Sequence, residues 1–90
     1  MRNQEVISKF VNFAESAATA NVRSNGDKLF NYGTCIAQRH EGKYLLNVTR
    51  YSITTSKIQC YVRRELLDHD VIEVTSVPRG TRNLVPYINK

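Results

Sequence analysis

From Gln4 to Ala18 the apolar residues Val6, Ile7, Phe10, Val11, Phe13, Ala14, Ala17 and Ala18 recur at three- and four-residue steps. Gln4, Glu5, Ser8, Lys9, Asn12, Glu15 and Ser16 fall opposite them. The apolar stripe covers roughly 160° of a helical wheel, which predicts an amphipathic helix whose wide face packs into a core. Asn3 is the expected N-cap, and Glu5 suits the positive end of the helix dipole.

After Ala20 the period changes. Ser24-Asn25-Gly26-Asp27 carries turn chemistry, because Asn and Gly tolerate positive φ. Lys28 to Tyr32, Thr34 to Arg39 and Lys43 to Thr49 then read as three short strands, with Gly33 as a bulge or bend and His40-Glu41-Gly42 as a hairpin turn. The third of these strands alternates Tyr44, Leu46 and Val48 on one face with Leu45, Asn47 and Thr49 on the other.

At Ser56 the spacing becomes helical again. Ser56 and Gln59 have the separation of a capping box, and Ile58, Val62 and Leu66 form an inward line before Asp68-His69-Asp70 ends the helix near Leu67. Val71 to Val77 is a further strand by its β-branched content, and Pro78-Arg79-Gly80 is a turn. Asn83 to Ile88 is a weaker strand that Pro86 confines to an edge. The expected fold is α+β, an antiparallel sheet of four to five short strands packed on two helices, in the order α-β-β-β-α-β-β.

Ninety residues make one compact domain, 1–90. A chain this short buries only roughly 60% of the surface its unfolded form exposes. The core is therefore expected to be a single layer of helices against one sheet. Dimerisation, for instance by strand pairing near Val85, is a natural way to cover leftover apolar surface. No segment approaches the roughly 20 apolar residues of a membrane span, and the expected location is the cytoplasm. Asn47-Val48-Thr49 fits the glycosylation pattern but reads as strand.

The 13 Lys and Arg against 8 Asp and Glu leave a net charge of +5, which favours acidic partners at long range. Cys35 and Cys60 lack metal-ligand spacing, and His40 and His69 sit in turns without a nearby Cys or second His. Free thiols in a reducing cytoplasm are expected, with a Cys35–Cys60 disulfide as the alternative. No serine has a base nearby in sequence and no carboxylate pair stands in an apolar setting, so neither catalytic residues, metal nor cofactor are expected.

The candidate chemistry lies between Asn47 and Arg64. At 100° per residue, Lys57, Cys60, Tyr61 and Arg64 share the helix face away from Ile58, Val62 and Leu66, with Arg63 off to the other side. Arg50 and Tyr51 precede this face, and Ser52, Thr54 and Thr55 line the entry to the helix, where hydroxyls and free amides suit a phosphate. The competing reading makes Thr54, Thr55 and Ser56 plain turn and capping residues. A second basic group, Arg79, Arg82 and Lys90, can extend the first.

Tyr32-Gly33-Thr34-x-Ile36-Ala37, Asn47-x-Thr49-x-Tyr51-Ser52 and Thr54-Thr55-Ser56-x-x-Gln59 together resemble a small uncharacterised domain of proteins from bacteriophages and mobile elements of Gram-positive bacteria. The resemblance covers roughly the central third and supplies no catalytic residues. It implies a setting in which small proteins regulate nucleic acid or block host defence. The expected function is non-enzymatic binding of nucleic acid or a ribonucleoprotein through Arg50, Tyr51, Lys57, Tyr61, Arg63, Arg64, Arg79 and Arg82. The alternative is an anti-defence inhibitor, of the anti-CRISPR type, that grips a host nuclease complex directly.

Overall fold

The computed structural model describes residues 2–13 and 16–88. Its elements run α1 (Asn3–Phe13), β1 (Ala17–Ala18), β2 (Val22–Asn25), β3 (Lys28–Asn31), β4 (Thr34–His40), β5 (Lys43–Asn47), α2 (Ile53–Glu65) and β6 (Val71–Val74), followed by a 3-10 turn at Val85–Tyr87. The class is α+β as expected, but the sheet has six strands in the spatial order β1-β2-β3-β4-β5-β6. Five strands form an antiparallel meander, while β6 pairs parallel to β5. The sheet is thus mixed and not purely antiparallel, because α2 carries the chain back along β5 before the next strand starts.

The first helix is shorter than its apolar stripe suggests. It ends at Phe13, and Ala17 and Ala18 form strand β1, while Ala14 and Glu15 lie outside the described residues. Thr19 shows why the chain leaves the helical path. Its Oγ1 accepts from the amides of Asn21 and Val22 at 3.2 and 3.1 Å, a local turn that competes with helix. The same Oγ1 donates to Asn3 Oδ1 at 2.6 Å. Asn3 is therefore inside the helix rather than its cap, and it fastens α1 to the start of the sheet.

Three two-residue loops set the strand register. Gly26 alone has positive φ in the first, the pattern of a type II′ turn; Tyr32-Gly33 and Glu41-Gly42 have it at both positions, the type I′ pattern. Ser24 and Asn25 consequently belong to β2, and Gly33 is a turn residue rather than a bulge. The irregularity falls instead where Leu29↔Ala37 steps to Phe30↔Cys35, leaving Ile36 as the extra residue of β4.

Both faces of the sheet are covered, which accounts for the unbroken burial of Thr34–Gln38 on β4. On one face α1 and α2 pack Val6, Ile7, Phe10, Ile58, Val62 and Leu66 against Leu29, Ile36, Tyr44 and Leu46. On the other, Phe30, Cys35 and Leu45, with Val74 of β6, lie under Val77 and Leu84 from the C-terminal segment. The alternation read from β5 holds, with Tyr44 and Leu46 in the first cluster and Leu45 in the second.

That C-terminal segment contains no strand after Val74 among the described residues. Ser76 turns the chain with φ 59°. Further on, the Gln38 side chain takes the part of a strand partner: Oε1 accepts from the Leu84 amide at 2.8 Å and Nε2 donates to Asn83 Oδ1 at 3.1 Å. Pro86 then opens the 3-10 turn. The edge strand expected over Asn83–Ile88 is absent, and strand pairing near Val85 has no edge to use. Lys90 lies outside the described residues.

Candidate functional site

The second helix begins one turn earlier than the Ser56–Gln59 spacing suggests. Ser52 is its N-cap in extended backbone, and its Oγ accepts from the Thr55 amide at 3.2 Å. Gln59 reaches the other way, donating Nε2 to the carbonyls of Asn47 and Thr49 at 2.7 and 3.0 Å. The capping box therefore does not form; Gln59 instead secures the chain leaving β5 against α2.

The hydroxyl-rich stretch divides: Ser52, Thr54 and Ser56 are exposed, Thr49 and Tyr51 half-buried and Thr55 buried. Thr55 is buried and donates to Asn31 Oδ1 at 2.7 Å. Asn47 donates to the Cys35 carbonyl and the Tyr51 hydroxyl, and the Tyr51 hydroxyl in turn donates to the Val77 carbonyl at 2.5 Å. Thr49 Oγ1 accepts from the Val77 amide and Thr34 Oγ1 from the Gly80 amide. Among the described residues, no buried side-chain nitrogen or oxygen lacks a partner. These contacts join β3, β5, α2 and the C-terminal segment at one end of the sheet, so Thr34, Thr49, Tyr51 and Thr55 hold the scaffold together.

Outside this network the basic residues separate into distinct settings. Arg50, Lys57, Cys60 and Arg63 line an open groove of about 720 Å³ along α2, floored by Leu46 and Val48 and bounded by Tyr51, Ser52 and Ile53. Arg63, expected off the face, thus shares the groove with Lys57, and it pairs with Glu73 of β6 at 3.0 Å. Tyr61 and Arg64 lie elsewhere, beside Gln4 and Ile7 of α1 and next to Glu65. The Arg64 guanidinium sits 5.9 Å from the Tyr61 ring centre.

Tyr51 and Ser52 also border a second depression with Tyr32, Arg79 and Gly80. Arg79 lies over the Tyr51 ring at 5.9 Å and donates to the Tyr51 carbonyl at 3.3 Å. Tyr32 in turn borders a third, with Arg23, Phe30 and Arg82. There the Arg82 guanidinium rests 5.1 Å above Phe30. Each depression shares a wall residue with the next, Tyr51 and Ser52 between the first two and Tyr32 between the last two. This succession from Lys57 past Arg50, Tyr51, Arg79 and Tyr32 to Arg82 is a track of neighbouring depressions. Among the described residues no Asp or Glu lines any of the three.

Arg23 and Tyr32 are the members of this track that the sequence reading missed as site residues. Arg23 had a signal, since it projects from β2 between buried Val22 and Ser24. Tyr32 had one as well: in a type I′ turn the residue before Gly is ordinarily Asn or Asp, so an aromatic there is out of place for folding.

The two cysteines are free, Cys35 buried and Cys60 exposed, so the alternative of a disulfide between them is not realised. Burial pushes the Cys35 thiol up to about 11, against the lowering influence of Lys28 nearby. His40, read from the sequence as a turn residue, is the last residue of β4, and its ring approaches Glu41 of the adjoining turn to 3.8 Å. Among the described residues no helix is long and apolar enough to cross a membrane, and no group of three His, Cys, Asp or Glu is placed to hold a metal ion.

No protein-family model matches this sequence, and no curated protein or solved structure matches it.

Proposed function

We propose that this protein is a non-enzymatic nucleic-acid-binding domain that contacts the phosphate backbone along the track from Lys57 to Arg82. The observation that carries the reading is that, among the described residues, no Asp or Glu lines three depressions that share wall residues and are bordered by Arg23, Arg50, Lys57, Arg63, Arg79 and Arg82. Glu73 reaches Arg63 from outside the lining. Among the described residues only Arg63 of these six makes an ion pair. Cations left without acidic partners are free to replace the counterions of a polyanion, and they supply affinity without reading sequence. The resemblance of the central segment to phage domains adds a setting, the cytoplasm of an infected bacterium, in which such binding is useful.

A shift assay with labelled DNA and RNA tests the reading. Binding that weakens steeply with salt supports it, and absent or salt-insensitive binding rejects it.

A second reading, an anti-defence inhibitor seated on a host nuclease protein, draws on Ile53. This residue is 81% exposed at the rim of the apolar-floored groove, where it extends the apolar surface that a protein partner would cover. Co-purification from host lysate after nuclease treatment separates the two. A retained nuclease protein favours inhibition, and loss of every partner favours nucleic acid.

A further inference from the structure

We infer that Tyr32 is a stacking platform for a base of single-stranded nucleic acid, with Arg79 on one side of it and Arg23 and Arg82 on the other to meet the flanking phosphates. This rests on the nucleic-acid reading above and specifies its substrate class.

The ring is placed outside the core. Tyr32 stands at the tip of the β3–β4 hairpin with φ 52°, a left-handed conformation that a bulky residue rarely takes. It is 66% exposed and belongs to neither core cluster. Glu41 takes the same φ, 51°, at the equivalent position of the next hairpin, so what sets Tyr32 apart is the exposed aromatic ring at its turn.

The ring is also held still. Its hydroxyl donates to Asn21 Oδ1 at 2.8 Å, and its amide donates to the Asn21 carbonyl at 3.2 Å. The β2–β3–β4 meander and the preceding loop therefore fix an aromatic face that projects between two depressions. The arginines beside it are positioned in the same way: Arg79 rests on Tyr51 and Arg82 on Phe30. A cation parked on a ring loses less freedom when it meets a phosphate.

This arrangement selects for strand state. A duplex keeps its base faces stacked inside, whereas a single strand offers them to aromatic side chains while its backbone follows a positive groove. Tyr32 between two basic depressions supplies both elements at one end of the sheet. The recognition is of base faces and phosphates, so it serves single-stranded DNA and RNA alike.

The test is fluorescence anisotropy of the full chain with labelled oligo-dT, oligo-U and a duplex of equal length. The variants are Tyr32→Asn, which suits the left-handed turn position and keeps the hairpin, and Tyr32→Phe, which keeps the ring. Tyr32→Asn is expected to weaken both single strands about 10-fold with an unchanged salt slope. Tyr32→Phe should bind as the parent does, and the duplex should bind more weakly and ignore either change. Single-strand binding undiminished in Tyr32→Asn overturns the platform while the nucleic-acid reading stands. An equal loss in Tyr32→Phe overturns it too, by assigning the effect to the hydroxyl. A parent protein that binds none of the three probes removes the nucleic-acid reading and the platform with it.

Discussion

Thr55 Oγ1 donates to Asn31 Oδ1 at 2.7 Å with both residues buried, and this bond fastens the first turn of α2 to the strand that runs into the Tyr32-Gly33 hairpin. The two aromatic members of the track, Tyr51 and Tyr32, are held in relation to each other across it. Thr55→Val keeps the shape but leaves the Asn31 oxygen buried without its donor. The expected cost is about 1–3 kcal/mol of stability, read as a lower urea midpoint at unchanged slope. Thr55→Ser should recover most of the loss.

Arg63 sits in the α2 groove but is engaged by Glu73, with both side chains about half exposed. A surface pair of this kind contributes about 0–1 kcal/mol, so Glu73→Gln should leave thermal stability nearly unchanged. It also frees a cation in the track. Nucleic-acid affinity should rise, and the slope of log K against log salt should steepen by about 0.7 for a single strand. Unchanged binding in Glu73→Gln would remove Arg63 from the interface.

Lys57 and Arg64 lie on the same exposed side of α2 by helical spacing, yet only Lys57 borders the track; Arg64 faces α1 beside Glu65. Lys57→Ala should therefore weaken binding and make the salt slope shallower by about 0.7. Arg64→Ala should leave both unchanged. Equal effects of the two substitutions would restore the simpler picture of one continuous cationic helix face.

The inward faces were legible because periodicity reports burial directly. Ile58, Val62 and Leu66 on α2, and Tyr44 and Leu46 on β5, lie in the helix-side core as their spacing indicates. What spacing could not report was competition from distant side chains. Ala17 and Ala18 continue the helical stripe, but the Ala17 amide bonds to Ser24 Oγ at 2.9 Å and the pair joins β2. The segment near Leu84 reads as a strand until Gln38, 46 residues away, supplies its hydrogen bond. Ser56 fits a capping box and Ser52 does not, yet Ser52 caps the helix because Thr55 must be buried beside Asn31. For the site, single cations were readable, whereas their division into a track and a separate Tyr61–Arg64 corner depends on how α1 packs beside α2.

The thiols give a check on the core that is independent of binding. Cys35 is fully buried with its pKa raised to about 11, while Cys60 is exposed. One thiol per chain should react with Ellman's reagent at neutral pH, rising to two in denaturant, and Cys60→Ser should abolish the native reaction. The raised pKa also predicts a pH dependence. The unfolded thiol ionises near 9.0 and the folded one near 11, so Cys35 favours the folded state fully below pH 9 and loses that contribution as pH rises towards 11. The stability difference between the parent and Cys35→Ala should shrink across that window. A difference that stays constant would mean the thiol is not desolvated.

The most direct measurement is the affinity of the full chain for a labelled single-stranded oligonucleotide by anisotropy, followed between about 50 and 200 mM salt. A backbone-binding track that uses Arg23, Arg50, Lys57, Arg79 and Arg82 gives log K falling linearly with log salt, at a slope of about −3 to −4. Combined replacement of Arg50, Lys57 and Arg79 by alanine should bring that slope to about −1 to −2. No binding at the lowest salt, or binding indifferent to salt and to the triple replacement, would contradict nucleic-acid recognition by this surface.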